Sequence, residues 1–108
     1  MDQCDGCGFV YDDLPVQNIA ETLRSFGHRY RAVLLADSGR DWVRKLRQRP
    51  RPETWSALEY ACHIRDVLLA QRERMLRVLF EDCPSFPVMH RDDRVGVCGY
   101  NDEEPSDC

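Results

Sequence analysis

The sequence predicts an all-α fold with two long antiparallel helices, and two observations lead to this prediction. From about Pro15 to Ser38-Gly39, apolar residues recur every three or four positions and so share one helix face, namely Ile19, Leu23, Phe26, Tyr30 and Val33. From Ser56 to about Phe80 the chain contains neither glycine nor proline. Because two helices alone leave their apolar faces uncovered, we expect them to form part of a four-helix bundle that self-association completes.

The first helix follows a short loop. Residues 1–13 contain a cysteine pair and glycines, which is typical of a loop or knuckle. Pro15 suits the first turn of a helix, and Asp12 and Asp13 precede it, where the helix dipole favours negative charge. Gly27 lies inside the helical pattern and weakens it by about 1 kcal/mol relative to alanine.

The second helix has the clearest start signal. Ser56 and Glu59 form a capping box, in which each side chain accepts from the backbone N–H of the other residue. An apolar stripe follows along this helix, formed by Tyr60, Ile64, Val67, Leu68, Met75, Val78 and Leu79. Cys83-Pro84 ends it.

The remaining segments predict less regular structure. Residues 40–53 are basic and contain two prolines, with a short amphipathic turn from Trp42 to Leu46. Two interpretations stay open there. One is an anion-binding patch. The other is a solvated connecting loop, which is favoured because the basic residues are not interleaved with aromatic residues for base stacking. Residues 84–108 end in an acidic tail and predict no third helix.

Composition excludes several classes of protein. A chain of 108 residues is long enough for a single domain, residues 1–108. The net charge of −4 makes nucleic acid an unexpected partner. The apolar runs are far shorter than the roughly 20 residues of a membrane span. The N-terminus lacks the pattern of a secretory signal, so the expected compartment is the cytoplasm, where thiols stay reduced.

Four residues are candidate metal ligands. Cys4 and Cys7 flank a turn with the form of a zinc knuckle, which supplies two of the four ligands that structural zinc requires. The remaining ligands would come from His63, His90, Cys62 or a partner chain. His63 lies on the inward stripe of the second helix, with Asp66 placed to bond its second ring nitrogen. His90 lies in a loop that can approach the bundle. For the cysteine pair a free or oxidised pair of thiols is an equal alternative, and for His63 a hydrogen-bonded core histidine is the other interpretation.

Residues 55–66 resemble the second-helix signature of the DinB-like superfamily of metal-binding four-helix bundles. The matching residues are Trp55, Ser56, Glu59, His63, Ile64 and Asp66, and the likeness to an actinobacterial branch extends over nearly the whole chain. The resemblance implies that His63 is the first ligand of a three-histidine site for zinc or nickel. It places the other two histidines on the last helix of the bundle, whereas this chain reaches Cys108 about where the third helix is expected to begin. This predicts either a truncated or rearranged relative, or a site that is rebuilt in another way.

Three functional hypotheses follow. The first is a small metal-binding protein that forms a homodimer and holds a divalent ion, zinc or nickel, through His63, Cys4, Cys7 and His90. The second comes from the resemblance: some DinB-like proteins are thiol-dependent transferases, in which the metal deprotonates a small thiol such as mycothiol. The third is a non-catalytic interaction or regulatory module. The sequence leaves open whether the chain is an enzyme.

Overall fold

Four α-helices form the regular structure of the chain, and residues 2–108 contain no β-strand. In the computed structural model, which describes these residues, the helices are α1 (Val16–Leu34), α2 (Arg40–Arg47), α3 (Ala57–Phe80) and α4 (Arg91–Val97). The predicted all-α class is confirmed. The antiparallel pairing of the two long helices and the four-helix bundle remain predictions. Within the described residues, no helix combines the length and the hydropathy needed to cross a membrane.

The chain divides into two compact units, one running to Val33 and the other from Leu34 to Cys108. The first unit contains the cysteine pair, a 3-10 turn at Tyr11–Asp13 and nearly all of α1. Helix α1 begins directly after Pro15, as predicted, but it ends at Leu34, ahead of the expected Ser38-Gly39. After the helix, the carboxylate of Asp37 accepts from the backbone N–H of Gly39 at 2.7 Å, which forms a local turn.

The basic segment begins with a helix rather than a loop. The amphipathic turn expected from Trp42 to Leu46 extends to the eight-residue helix α2. Asp41 lies in its first turn, and three basic residues lie in its last turn, an arrangement that the helix dipole favours. Leu46 is buried and α2 packs on α3, so tertiary contact adds to the amphipathic pattern in stabilising this short helix.

Helix α3 starts as predicted and supplies more buried residues than any other element. Ser56 Oγ accepts from the Glu59 backbone N–H at 3.1 Å, and Glu59 Oε1 accepts from the Ser56 N–H at 3.2 Å. The buried positions lie in the first two turns and include Leu58 and Cys62. Beyond Val67 the predicted apolar stripe is largely exposed, because the other elements of the second unit pack on the beginning of α3.

The C-terminal segment, residues 98–108, packs on this beginning of α3. Tyr100 is fully buried in a 3-10 turn that contacts α3 and α4, and Pro105 is also buried. Asn101 donates to the Arg47 carbonyl at 2.8 Å, and its side-chain oxygen accepts from Ser56 Oγ at 2.7 Å. Helix α4, which the sequence did not predict, is only seven residues long and contains a single buried residue.

Candidate metal centre

Two cysteines and a glutamate come together where the C-terminal segment meets α3. Cys62 lies in the second turn of α3 and is fully buried, while Glu103 and Cys108 belong to the C-terminal segment. Their donor atoms all lie within 4.8 Å of one another. Among residues 2–108, these three form the one group of three or more His, Cys, Asp or Glu side chains that could hold a metal ion.

The spacing of the donors suits a small tetrahedral ion. With Zn–S bonds of about 2.3 Å and Zn–O bonds of about 2.0 Å, tetrahedral angles place a sulfur and an oxygen ligand about 3.5 Å apart. The distance from Cys62 Sγ to Glu103 Oε2 is 3.6 Å. The cluster could therefore hold a metal ion through two sulfurs and one carboxylate oxygen.

Arg65 fixes the carboxylate of Glu103. Its two terminal nitrogens donate to the two carboxylate oxygens at 2.6 and 3.1 Å, and its Nε donates to Asp66 Oδ1 at 3.0 Å. The hydroxyl of Tyr100 donates to the other oxygen of Asp66. Such outer partners hold a ligand in one orientation, which strengthens metal binding.

At neutral pH both thiols are protonated and the carboxyl group is ionised. Burial raises the pKa of the Cys62 thiol far above its usual value, and the adjacent Cys108 raises it further. Burial also raises the pKa of Cys108. By contrast, the hydrogen bonds from Arg65 lower the pKa of Glu103 and outweigh the effect of its burial. A metal ion bound through both sulfurs must therefore displace two protons.

His63 is placed next to this cluster in sequence but does not belong to it. Its ring is half-buried at 5.0 Å from the ring of Trp55, and its Nδ1 is buried without a hydrogen-bond partner among the described residues. Burial, and then the positive charge of Arg91, lower the pKa of His63. Asp66 was expected to accept a hydrogen bond from the His63 ring, but among the described residues it accepts from Arg65 and Tyr100 instead.

His90 is exposed and directly precedes α4. Its backbone adopts the left-handed conformation, with φ of 52°. Its Nδ1 lies 3.9 Å from a carboxylate oxygen of Asp93. Like His63, His90 is not part of the group of three donors. The metal-ligand roles of His63 and His90 therefore remain predictions.

The predicted cysteine pair lies in the first unit, where the structure brings its members together. Hydrogen bonding to the backbone of Cys7, then to that of Gly6, and to the Cys7 thiol lowers the pKa of Cys4. A thiol that ionises more readily is a better metal ligand and a better nucleophile.

Sequence reasoning missed Glu103 and Cys108 as metal ligands and named Cys62 only as a reserve ligand for the cysteine pair. The three residues have no motif spacing, since Cys62 and Glu103 are 41 positions apart. The usable signal was Cys62 itself, which follows Leu58 by one helical turn on the face of α3 that is buried. Nothing local indicates that the acidic tail covers this face.

No protein-family model, curated protein or solved structure matches this chain.

Proposed function

We propose that the chain binds a divalent metal ion through Cys62, Glu103 and Cys108, and that the ion fastens the C-terminal segment to α3. The observation that carries this proposal is the convergence of two sulfurs and one carboxylate oxygen within 4.8 Å. These donors belong to parts of the chain that are 41 or more positions apart, so the ion acts as a long-range cross-link of the fold.

Zinc is the metal that this donor set favours. Two thiolates select a soft or borderline ion over magnesium or calcium, and the tetrahedral spacing fits zinc. Nickel is the second choice, because it also accepts sulfur ligands but favours a planar arrangement in its tetragonal complexes. The charges support a divalent ion. Two thiolates and one carboxylate would carry three negative charges, and among the described residues the side chain of Glu103 has Arg65 as its ion-pair partner.

A direct test measures zinc affinity in the full reduced chain by competition with a chromophoric chelator. Cys108→Ser removes one ligand at a half-buried position and should weaken binding by about 100-fold or more, beyond the usual effect of losing an outer partner. Cys98→Ser is the matched control, because Cys98 is exposed and lies outside the group of three. The knuckle variant Cys4→Ser/Cys7→Ser serves as background, so that only this site is titrated. Equal affinity of the Cys108 and Cys98 variants would overturn the proposal.

A second candidate function is thiol-dependent group transfer, as the resemblance to the DinB-like superfamily suggests. The supporting observation is that the cluster offers three protein ligands, which leaves one position of a tetrahedral ion for an external ligand. A small thiol bound there would lose its proton to solvent, and its thiolate would attack an electrophilic carbon and displace the leaving group.

This second candidate is tested with zinc-loaded protein, mycothiol and an aromatic chloride, by following chloride release. Conjugation that Cys108→Ser abolishes and His63→Ala retains supports catalysis at the cluster of three. The opposite pattern assigns catalysis to an ion at His63, as the resemblance implies. A rate equal to that of free zinc and mycothiol excludes transferase activity with this pair of substrates.

A further inference from the structure

The cysteine pair near the N-terminus forms a second arrangement of sulfur ligands, separate from the cluster of three. The backbone closes a tight loop around it, with an isolated antiparallel bridge between Gln3 and Val10. The Cys4 N–H donates to the Phe9 carbonyl and the Gly8 N–H donates to the Cys4 carbonyl, both at 2.8 Å. Gly8 has φ of +75°, a conformation that side chains rarely adopt. The loop therefore holds its two sulfurs on a defined backbone.

The backbone of this loop also passes close to one of the sulfurs. A Cβ atom placed on Gly6 would lie 3.9 Å from the Cys4 sulfur. A zinc ion bound by four thiolates carries a net charge of about −2, from four negative ligands and one divalent ion. Backbone N–H donors stabilise such an anionic centre, because hydrogen bonds to charged acceptors are stronger than those to neutral ones.

The pair supplies only half of the ligands of a structural zinc site. Within the described residues, neither cysteine belongs to a group of three donors. Cys7 is exposed and Cys4 is half-exposed, so both sulfurs are open to a second molecule. Beside them lie two exposed aromatic rings, Phe9 and Tyr11, packed edge to face with centroids 5.5 Å apart. An exposed aromatic pair beside a half-complete metal site is typical of a surface that becomes buried on association.

We propose that two copies of the chain share one zinc ion through Cys4 and Cys7 of each copy. Two identical loops supply four thiolates, which completes a tetrahedral site, and a two-fold axis through the ion makes the contact self-complementary. The aromatic pairs of the two copies flank the ion and become buried with it. This site does not depend on the proposed ion at Cys62, Glu103 and Cys108.

The test combines zinc analysis with the molar mass of the full reduced chain in solution. The wild type should bind about 1.5 zinc ions per chain and form a dimer, whereas Cys4→Ser/Cys7→Ser should bind about one and remain a monomer. At a free zinc concentration 100 times its dissociation constant, zinc should strengthen dimer formation about 100-fold. A tetrathiolate spectrum should develop on cobalt substitution at one ion per two chains.

Two further variants separate the outcomes. Cys83→Ser/Cys98→Ser is the matched control, because both residues are exposed, and it should behave as the wild type. Cys62→Ser/Cys108→Ser should keep the dimer and about half a zinc ion per chain, even if the cluster of three binds nothing. A zinc-saturated monomer, a dimer that survives Cys4→Ser/Cys7→Ser, or a Cys4–Cys7 disulfide that persists with reductant and zinc would overturn the proposal.

Discussion

Zinc should raise the thermal stability of this protein through the cluster formed by Cys62, Glu103 and Cys108. Cys62 is 41 or more positions from the other two ligands, so the unfolded chain does not hold all three together and binds zinc more weakly than the folded chain. A ligand that binds only the folded state at 100 times its dissociation constant stabilises that state by about 2.7 kcal/mol. For a unit of this size, each kcal/mol shifts the melting temperature by about 4–8 °C, which gives a shift of about 10–20 °C.

The assay is thermal unfolding followed by circular dichroism, with reductant present and with either chelator or zinc. It is carried out in the Cys4→Ser/Cys7→Ser background, which removes any contribution from the cysteine pair. Cys108→Ser should abolish most of the zinc-dependent shift, while Cys98→Ser should keep it. Because Cys108 is half-buried rather than fully buried, its replacement should change the metal-free melting temperature little.

Two results would refute the reasoning. One is the absence of any zinc-dependent shift in the parent background, which would mean that the folded cluster does not bind zinc at this concentration. The other is an equal shift in the Cys108 and Cys98 variants, which would place the stabilising ion elsewhere.

Two further predictions concern protons and charge. Because the pKa values of Cys62 and Cys108 are raised and both protons must leave, zinc affinity should fall about 100-fold for each unit of pH decrease near neutrality, as measured by competition titration. Glu59→Gln should lower the free energy of unfolding at pH 7 by about 1.5–3 kcal/mol, measured by urea unfolding, because buried Glu59 accepts two hydrogen bonds from Arg49 at 2.8 and 2.5 Å.

Each of these two predictions has its own control. A pH slope corresponding to one proton would show that only one sulfur binds the ion.

For Glu59, glutamine preserves the capping box, so the variant isolates the loss of charge. The hydrogen bond from Arg49 lowers the pKa of Glu59, so this stabilisation is present above the usual carboxyl pKa and is lost as the pH falls through the lowered value. The difference between variant and wild type should therefore shrink in acid, and Glu53→Gln, at an exposed position, should have little effect.

The sequence predicted the elements whose signals are local. The start of α3 was predictable because the Ser56 and Glu59 contacts span only three residues, and its end was predictable from Cys83-Pro84. Helix α2 was predicted only as a turn, since the burial of Leu46 against α3 stabilises it. Tertiary contacts of this kind leave little trace in the local pattern of residues.

The candidate site was predictable only in part, for the same reason. The Cys4 and Cys7 loop is local, and the structure brings these two residues together as their spacing indicated. The cluster of three depends on the return of the C-terminal segment to α3, which the buried Tyr100 and the side chain of Asn101 direct. Neither residue forms a metal-ligand motif, so the sequence pointed to neighbouring His63 instead.

The balance of charges is compatible with the proposed metal site both with and without an ion. Without an ion, the thiols of Cys62 and Cys108 are neutral, and Glu103 pairs with Arg65. With a divalent ion, two thiolates and one carboxylate are balanced by the ion and Arg65 together. Asp66, which also accepts from Arg65, has the guanidinium of Arg94 at 4.0 Å as a second cationic partner. Neither state therefore leaves an uncompensated buried charge, which would be strongly destabilising. Because Asn101 also holds the C-terminal segment in place, removal of zinc should loosen this segment without unfolding α3.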